Sequence, residues 1–192
     1  VDLTTADRLK TFLDVSGSGE DTLLGYLVTA ISAQVEAYLD RYVESTSRTA
    51  YLDVEEGQRV FGLRGYPVTS VSSLRHDIDW TFASTDELAT TDYTVLGDDG
   101  LLQIPAYDLA AGPRALKITY TGGMAASAAA FYAAYPDAEL AVWYQAGYAF
   151  ERRKFLIDGS AAVAGSSVGF QAPELLAEVK ELLRPYRRLV VV

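Results

Sequence analysis

Apolar positions in the first forty residues recur at intervals of three and four, the spacing of one helix face. Leu9, Phe12 and Leu13 form a short stripe, and Thr4 with Asp7 has the S/T-x-x-D/E spacing that opens a helix. The stretch Ser16-Gly17-Ser18-Gly19 breaks that helix, and Ser18 with Asp21 repeats the opening signal. Leu24, Leu27, Val28, Ile31, Val35, Tyr38, Leu39 and Tyr42 then keep to one face. They predict a second helix of about 22 residues, ~33 Å long. Thr29, Ser32, Gln34, Glu36 and Asp40 lie on its polar side, facing water or a polar interface.

From about Arg48 the period shortens to that of strands. The runs Thr49–Val54, Arg59–Leu63, Val68–Arg75, Tyr93–Leu96, Leu101–Ile104 and Ala115–Thr121 are expected strands. Glu56-Gly57, Gly65 with Pro67, Gly97-Asp98-Asp99-Gly100 and Gly112-Pro113 fall between them as turn signals. The Gly97–Gly100 stretch reads as a hairpin loop. In the last run Leu116, Ile118 and Tyr120 alternate with Lys117 and Thr119, as in a half-buried strand.

Helical spacing returns after Gly122-Gly123. Ala125–Ala134 is compatible with helix or loop. Pro136 suits a first helical position, followed by Asp137 and Glu139 in the acidic first turn. Leu140, Trp143, Tyr144, Gly147 and Phe150 follow one face toward Arg152-Arg153-Lys154. Residues 155–172, small and aperiodic over Asp158–Gly169, read as a flexible loop. Pro173 opens a final helix through Leu176, Val179, Leu182 and Leu183, and Pro185 ends it, leaving a tail over 185–192. No internal repeat is found. The expected fold class is α+β: one domain over 1–192, a small bundle of an N-terminal helix pair and C-terminal helices, with an antiparallel β region inserted at 48–121.

Composition narrows the function. The 192 residues include no cysteine, which excludes disulfides, thiolate metal sites and cysteine nucleophiles. No apolar run approaches the ~20 residues needed to span a bilayer, so no membrane partner is expected. The net charge is −10, with 21 acids against 9 bases in residues 1–150 and 5 against 7 in residues 151–192. An acidic body does not hold nucleic acid, because grip comes from cations that release phosphate counterions. Sequence-specific DNA binding is therefore not expected, and the basic end reads as cations near helix C-termini.

Catalytic chemistry is sparse. His76 is the only histidine. With Ser72 or Ser73 and Asp77 it could be drawn as a Ser-His-Asp set, but no G-x-S-x-G elbow accompanies it. The favoured reading is a solvated residue at a strand end. Asp77, Asp79, Asp86, Glu87, Asp98 and Asp99 lack the spacing of an EF-hand loop, and Asp98-Asp99-Gly100 is explained by turn chemistry. A phosphate-binding glycine loop is also missing, so no catalytic residue, metal or cofactor is expected. The aromatics say more: Phe131, Tyr132, Tyr135, Trp143, Tyr144, Tyr148 and Phe150 crowd twenty residues. Tyr148 falls off the Leu140/Tyr144/Gly147 face and points to an oligomer contact.

The order of these segments resembles that of head–tail connector (adaptor, head-completion) proteins of tailed bacteriophages. The resemblance rests on the long helix ending Val35-Glu36-Ala37-Tyr38-Leu39-Asp40-Arg41-Tyr42 and on Leu63-Arg64-Gly65-Tyr66-Pro67-Val68-Thr69-Ser70-Val71. Asp92-Tyr93-Thr94-Val95, Ile118-Thr119-Tyr120-Thr121-Gly122-Gly123 and the helix from Pro136 to Glu151-Arg152-Arg153 complete it. It spans residues 3–153, and the enlarged region 72–112 and the extended tail depart from it. It implies a non-enzymatic virion neck protein, assembled in the host cytoplasm as a ring, usually of twelve copies. That ring would lie between the portal protein and a downstream head-completion or tail protein, with DNA passing through the channel. The expected subunit contacts are Gln34, Tyr38, Tyr42, Tyr148 and Arg152. The expected portal contacts are Arg184, Tyr186, Arg187, Arg188, Leu189, Val190, Val191 and Val192, an apolar β-prone end preceded by bases that could add a strand to a partner sheet. The alternatives are another neck or tail-completion protein, a carbohydrate-binding module using exposed Trp80 and Phe82, or a hydrolase using the carboxylates.

Overall fold

The computed structural model describes residues 1–105, 107–157 and 174–188. The fold is α+β, and the chain divides into two compact units. One is helical, Val1–Asp40 with Ser127–Arg187; the other is a sheet unit, Arg41–Ala126 with the segment from Arg188.

The helical unit contains α1 (Ala6–Leu13), α2 (Asp21–Leu39), α3 (Ala128–Ala134), α4 (Pro136–Ile157) and α5 (Ala177–Leu183). The start signals are displaced by one or two residues from those the sequence suggests. Thr5, not Thr4, caps α1 by accepting the Arg8 N–H. Glu20 occupies the N-cap position of α2, and the Ser18 carbonyl, not its hydroxyl, takes the Asp21 N–H. Helix α2 has 19 residues, shorter than expected, because Asp40 turns left-handed at φ 50° and Tyr42 leaves the helix. The ambiguous Ala-rich stretch is helix α3, with the Ser127 hydroxyl as its cap.

Helix α4 packs against α1, α2, α3 and α5. A helix with neighbours on so many sides needs small residues where the backbones approach. Accordingly Ala138, Ala141, Val142 and Ala146 are buried on it, with Glu139, Gln145 and Phe150. A Cβ at Gly147 would stand 3.2 Å from a methyl of Leu13. This corrects the expected face: Tyr144 is exposed and Trp143 half-buried. Gln145 fastens the approach to α5, accepting the Leu176 N–H at 2.9 Å and donating to the Glu174 carbonyl. Backbone α4 reaches Ile157, into the first residues of the expected 155–172 loop; residues 158–173 lie outside the described residues.

The start of the chain is tied to α4 by one buried carboxylate. Glu139 is 2% exposed and is bound bidentately by the Arg8 guanidinium, both contacts at 2.7 Å. The Thr4 hydroxyl donates to the same carboxylate at 2.6 Å and accepts the Trp143 indole N–H at 3.0 Å. Arg8 also lies over the Tyr132 ring, 4.0 Å from its centroid. The bond to Glu139 pushes the Arg8 guanidinium above its already high value.

In the sheet unit, β1 (Thr46–Val54), β2 (Val60–Gly62), β3 (Val68–His76), β4 (Thr94–Leu96), β5 (Leu101–Gln103) and β6 (Gly112–Gly122) form two antiparallel sheets, ordered β1-β6-β3 and β2-β5-β4. All six expected strands are present. Gly112-Pro113, expected between strands, instead opens β6 opposite a bulge in β1. The Gly97–Gly100 stretch is the β4–β5 hairpin, where Gly100 has φ +67° and a Cβ would lie 2.8 Å from Tyr66. Val54, Phe61, Leu63, Leu74, Leu102, Ile104, Leu116, Ile118 and Tyr120 form the core. Burial raises the pKa of the Tyr120 phenol, and its oxygen accepts the Gly65 N–H at 3.0 Å.

Replacing Arg8 with methionine keeps the stem but strands the buried carboxylate. Urea unfolding of Arg8→Met is expected to show a loss of about 2–3 kcal/mol, below the full cost of breaking a buried pair because Arg8 is partly exposed and Thr4 still donates.

Candidate functional site

Strand β3 ends at the loop that carries the candidate catalytic residues, and Asp77 organises it. One carboxylate oxygen accepts the Asp79 N–H at 2.8 Å. The other accepts the Thr81 N–H and hydroxyl, both at 2.6 Å, and the Phe82 N–H at 2.8 Å. The Thr81 hydroxyl and these backbone donors hold the Asp77 carboxyl down to about 2. The carboxylate therefore shapes a loop and is not turned to a histidine. His76 Nε2 lies 3.1 Å from the Ala110 carbonyl, with the ring edge-on to Tyr107. Ser72 donates to the Thr119 carbonyl of the neighbouring strand. The three groups of the drawn triad thus have separate partners. Among the described residues no three His, Asp or Glu side chains converge as metal ligands, and no helix is long and apolar enough to cross a membrane.

The same loop corrects the expectation that Trp80 and Phe82 are both exposed for a carbohydrate. Trp80 is 59% exposed, but Phe82 is 7% exposed and packs against Tyr51. Both have left-handed backbones, φ 62° and 49°, an uncommon state for bulky residues. The Trp80 indole donates to the Pro113 carbonyl at 2.9 Å. Phe82 is therefore not an exposed ring beside Trp80.

Of the expected subunit contacts, Tyr148 stands 48% exposed on α4. Four residues earlier Tyr144 is also exposed, and Phe12 of α1 lies beside it with ring centroids 6.0 Å apart. Phe12 also stacks on Trp143 at 5.3 Å. Phe12, Tyr144 and Tyr148 form an aromatic stripe on the surface of the helical unit. The sequence pattern put Phe12 and Tyr144 on apolar faces, and the i, i+4 spacing of Tyr144 and Tyr148 is the signal that could have found the α4 part of the stripe. Tyr38 is used within the unit: its hydroxyl donates to the Lys180 carbonyl and Arg187 lies over its ring. Gln34 is half-buried, and its Oε1 is a buried acceptor with no hydrogen bond among the described residues. Arg152 is half-buried on α4. Tyr42 belongs to the sheet unit, where Arg48 and Arg64 lie over its ring at 4.0 and 5.1 Å.

The expected portal contacts begin as anchored residues. Arg184 is exposed and pairs with Glu181 at 3.3 Å. The Tyr186 hydroxyl donates to Asp137 at 2.7 Å, and its ring meets Tyr135 edge-on. Burial first, then this bond, push the phenol up to about 12. In the sheet unit Arg188 donates to the Gly62 carbonyl at 3.3 Å. Leu189, Val190, Val191 and Val192 lie outside the described residues.

A family model described as head completion protein matches residues 2–189. Three solved structures are similar, each over 97% of this chain and 90% of the other. They are the virion of a native gene transfer agent particle (20% identity, TM-score 0.61), the neck of the empty particle computed with C6 symmetry (21%, 0.60) and the neck of the native particle computed with C12 symmetry (18%, 0.58). At that identity the likeness is one of fold. No curated protein matches the chain significantly.

The Tyr186–Asp137 bond has a pH signature. A phenol raised in the folded state adds stability that is fully present below its unfolded pKa near 10 and is lost as pH rises toward about 12. Tyrosinate absorbance should therefore show phenol ionisation reaching to near the top of the range, and Tyr186→Phe should remove the part due to the Tyr186–Asp137 bond.

Proposed function

Because the chain belongs to the head completion protein family, we propose that it is a structural, non-enzymatic subunit of a virion neck. It assembles there as a ring that continues the DNA channel between the portal and the tail-side proteins. The observation that carries the assembly reading is the Phe12–Tyr144–Tyr148 stripe. A subunit that keeps three aromatic rings at the surface of its helical unit has a ready contact for a neighbour, since aromatic residues dominate binding energy at interfaces. The similar necks were computed with C6 and C12 symmetry, which supports twelve copies as the order of this ring.

The charge fits a conduit. At −10 per subunit the ring repels the phosphate backbone, and at physiological salt that repulsion acts within ~8 Å. DNA then passes without adhering and without being read. We place the portal contact at the C-terminal end. Tyr186 on Asp137, Arg187 over Tyr38 and Arg188 on Gly62 secure the root of a segment whose last four residues, Leu-Val-Val-Val, suit strand addition.

Native mass spectrometry of the purified protein, alone and with portal protein, tests both parts. A twelve-copy ring of 20.8 kDa subunits has a mass of about 250 kDa. The double substitution Tyr144→Glu, Tyr148→Glu alters exposed positions only and should weaken ring formation by at least about tenfold with unchanged circular dichroism. Rings forming at the same concentration would remove the stripe from the interface. Deleting Leu189–Val192 should leave the ring intact and lower its binding to portal, and undiminished binding would sink the portal assignment.

A further inference from the structure

The sheet unit has four outer strand edges, on β1, β3, β2 and β4, since β6 and β5 are the central strands. Outer edges present unpaired backbone groups, and proteins usually blunt them. Three of these are blunted, each by a different device. Strand β3 is bulged twice. Its outer side is occupied at both ends, by the Leu88 N–H on the Leu74 carbonyl at 2.8 Å and by the Val68 N–H on the Gly97 carbonyl at 2.9 Å. On β2 the carbonyls of Val60 and Gly62 accept from the side chains of Gln58 and Arg188, at 3.2 and 3.3 Å. Strand β4 is only three residues long.

Strand β1 has none of these protections over most of its nine residues. Its one bulge is at the far end, between Leu52 and Val54, and it contains neither proline nor lysine. Which of its groups face outward follows from the ladder. The carbonyls of Ala115, Thr119 and Thr121 accept from Asp77, Ser72 and Thr69, and the Gly123 N–H donates to Pro67, so the odd-numbered residues of β6 face β3. The even-numbered residues therefore face β1, where the register pairs them with Thr46, Arg48, Ala50 and Leu52. Ser47, Thr49 and Tyr51 are left with N–H and C=O directed away from the sheet. Among the described residues no hydrogen bond from outside the sheet reaches these backbone groups.

We propose that the outer edge of β1 is a docking edge for an extended segment of an unlike protein, a segment alternating apolar and acidic residues. On one face of β1, Ala50 and Leu52 are only half-buried at the rim of the core, so alternate apolar side chains of an added strand would complete their cover. On the other face the Tyr51 ring is 41% exposed with Arg114 at 4.4 Å and Lys117 at 6.0 Å, a cationic margin that selects carboxylates. A second copy is the weaker fit. Its other edges are blunted, and β1 against β1 is a two-fold contact that closes at a dimer.

The test uses the full chain and, as probe, a peptide of about ten residues alternating valine and glutamate, followed by amide exchange. With excess peptide the Ser47, Thr49 and Tyr51 amides should exchange at least about tenfold more slowly, while those of Arg48 and Ala50, already in the ladder, hardly change. Thr49→Pro removes the central outward N–H, spares the ladder to β6, and should weaken the peptide at least about tenfold; Thr49→Ala should keep it. Should the proline variant not fold, a peptide N-methylated on alternate residues replaces it against the wild-type chain and should not bind. Unchanged exchange at the three amides, or equal binding of the N-methylated peptide, would overturn the proposal. Protection that grows with protein concentration in the absence of peptide would also overturn it, by giving the edge to a second copy. None of these readouts involves the neck ring, so that reading stands or falls separately.

Discussion

A carboxylate cannot leave water without partners that replace its hydration, and Glu139 imposes that constraint on the helical unit. It sits in the first turn of α4, the helix against which four others pack, and it is nearly fully buried. Satisfying it requires Arg8 from α1 and Thr4 from the segment before it, so the first residues of the chain cannot choose another place. The Leu3 N–H on the Ser32 hydroxyl and the bidentate Arg153–Glu20 pair fix the same end of the chain from α2 and from the far end of α4. Non-directional burial alone would tolerate many packings of short amphipathic helices. A bidentate guanidinium on a buried carboxylate tolerates few.

The sheet unit obeys a related constraint, that of its backbone hydrogen bonds. Its two sheets have only three strands each, so edge strands outnumber central ones and every edge must be closed, covered or used. Side chains do much of the closing. Gln58 and Arg188 cover carbonyls of β2, and Asp77 gathers the N–H groups of the loop beyond β3. The left-handed backbones of Trp80 and Phe82 are tolerated because the Asp77 carboxylate, held down to about 2, leaves that loop few alternatives.

Most of this fold was legible in the sequence because it follows from periodicity and turn chemistry. Six strands, the hairpin at Gly97–Gly100 and the start of α4 at Pro136 are legible in the sequence, although β1 and β6 each begin three residues before the pattern places them. Misreadings arose where a tertiary contact overrode a local signal. Thr4 has the spacing of a cap but is drawn to Glu139, which leaves the cap to Thr5. Tyr144 continues an apolar stripe, yet the crowding of α4 gives the interior to alanines and turns the larger ring outward. Phe82 looked as available as Trp80 because nothing local encodes the loop that tucks one ring in and leaves the other out. Tyr148 was readable as a surface residue because it fell off its helix face, whereas Phe12 joins it only through the packing of α1 on α4. The β1 edge was invisible, since edge and centre are properties of pairing order and not of a strand's own residues.

The charge of the chain explains why these surfaces, rather than ion pairs, suit assembly. Copies of a −10 subunit repel one another at long range, and salt at physiological strength cuts that repulsion off beyond ~8 Å without reversing it. Attraction must then come from short-range terms: apolar area, aromatic contact and backbone hydrogen bonds formed away from water. Two exposed features among the described residues can supply such terms, the Phe12–Tyr144–Tyr148 stripe and the outer side of β1, one in each unit. They differ in kind. An aromatic stripe rewards close packing against a shaped surface, whereas a strand edge rewards any extended chain of suitable alternation. A protein with both can hold a folded neighbour through one unit and an extended segment through the other, without one contact competing for the residues of the other.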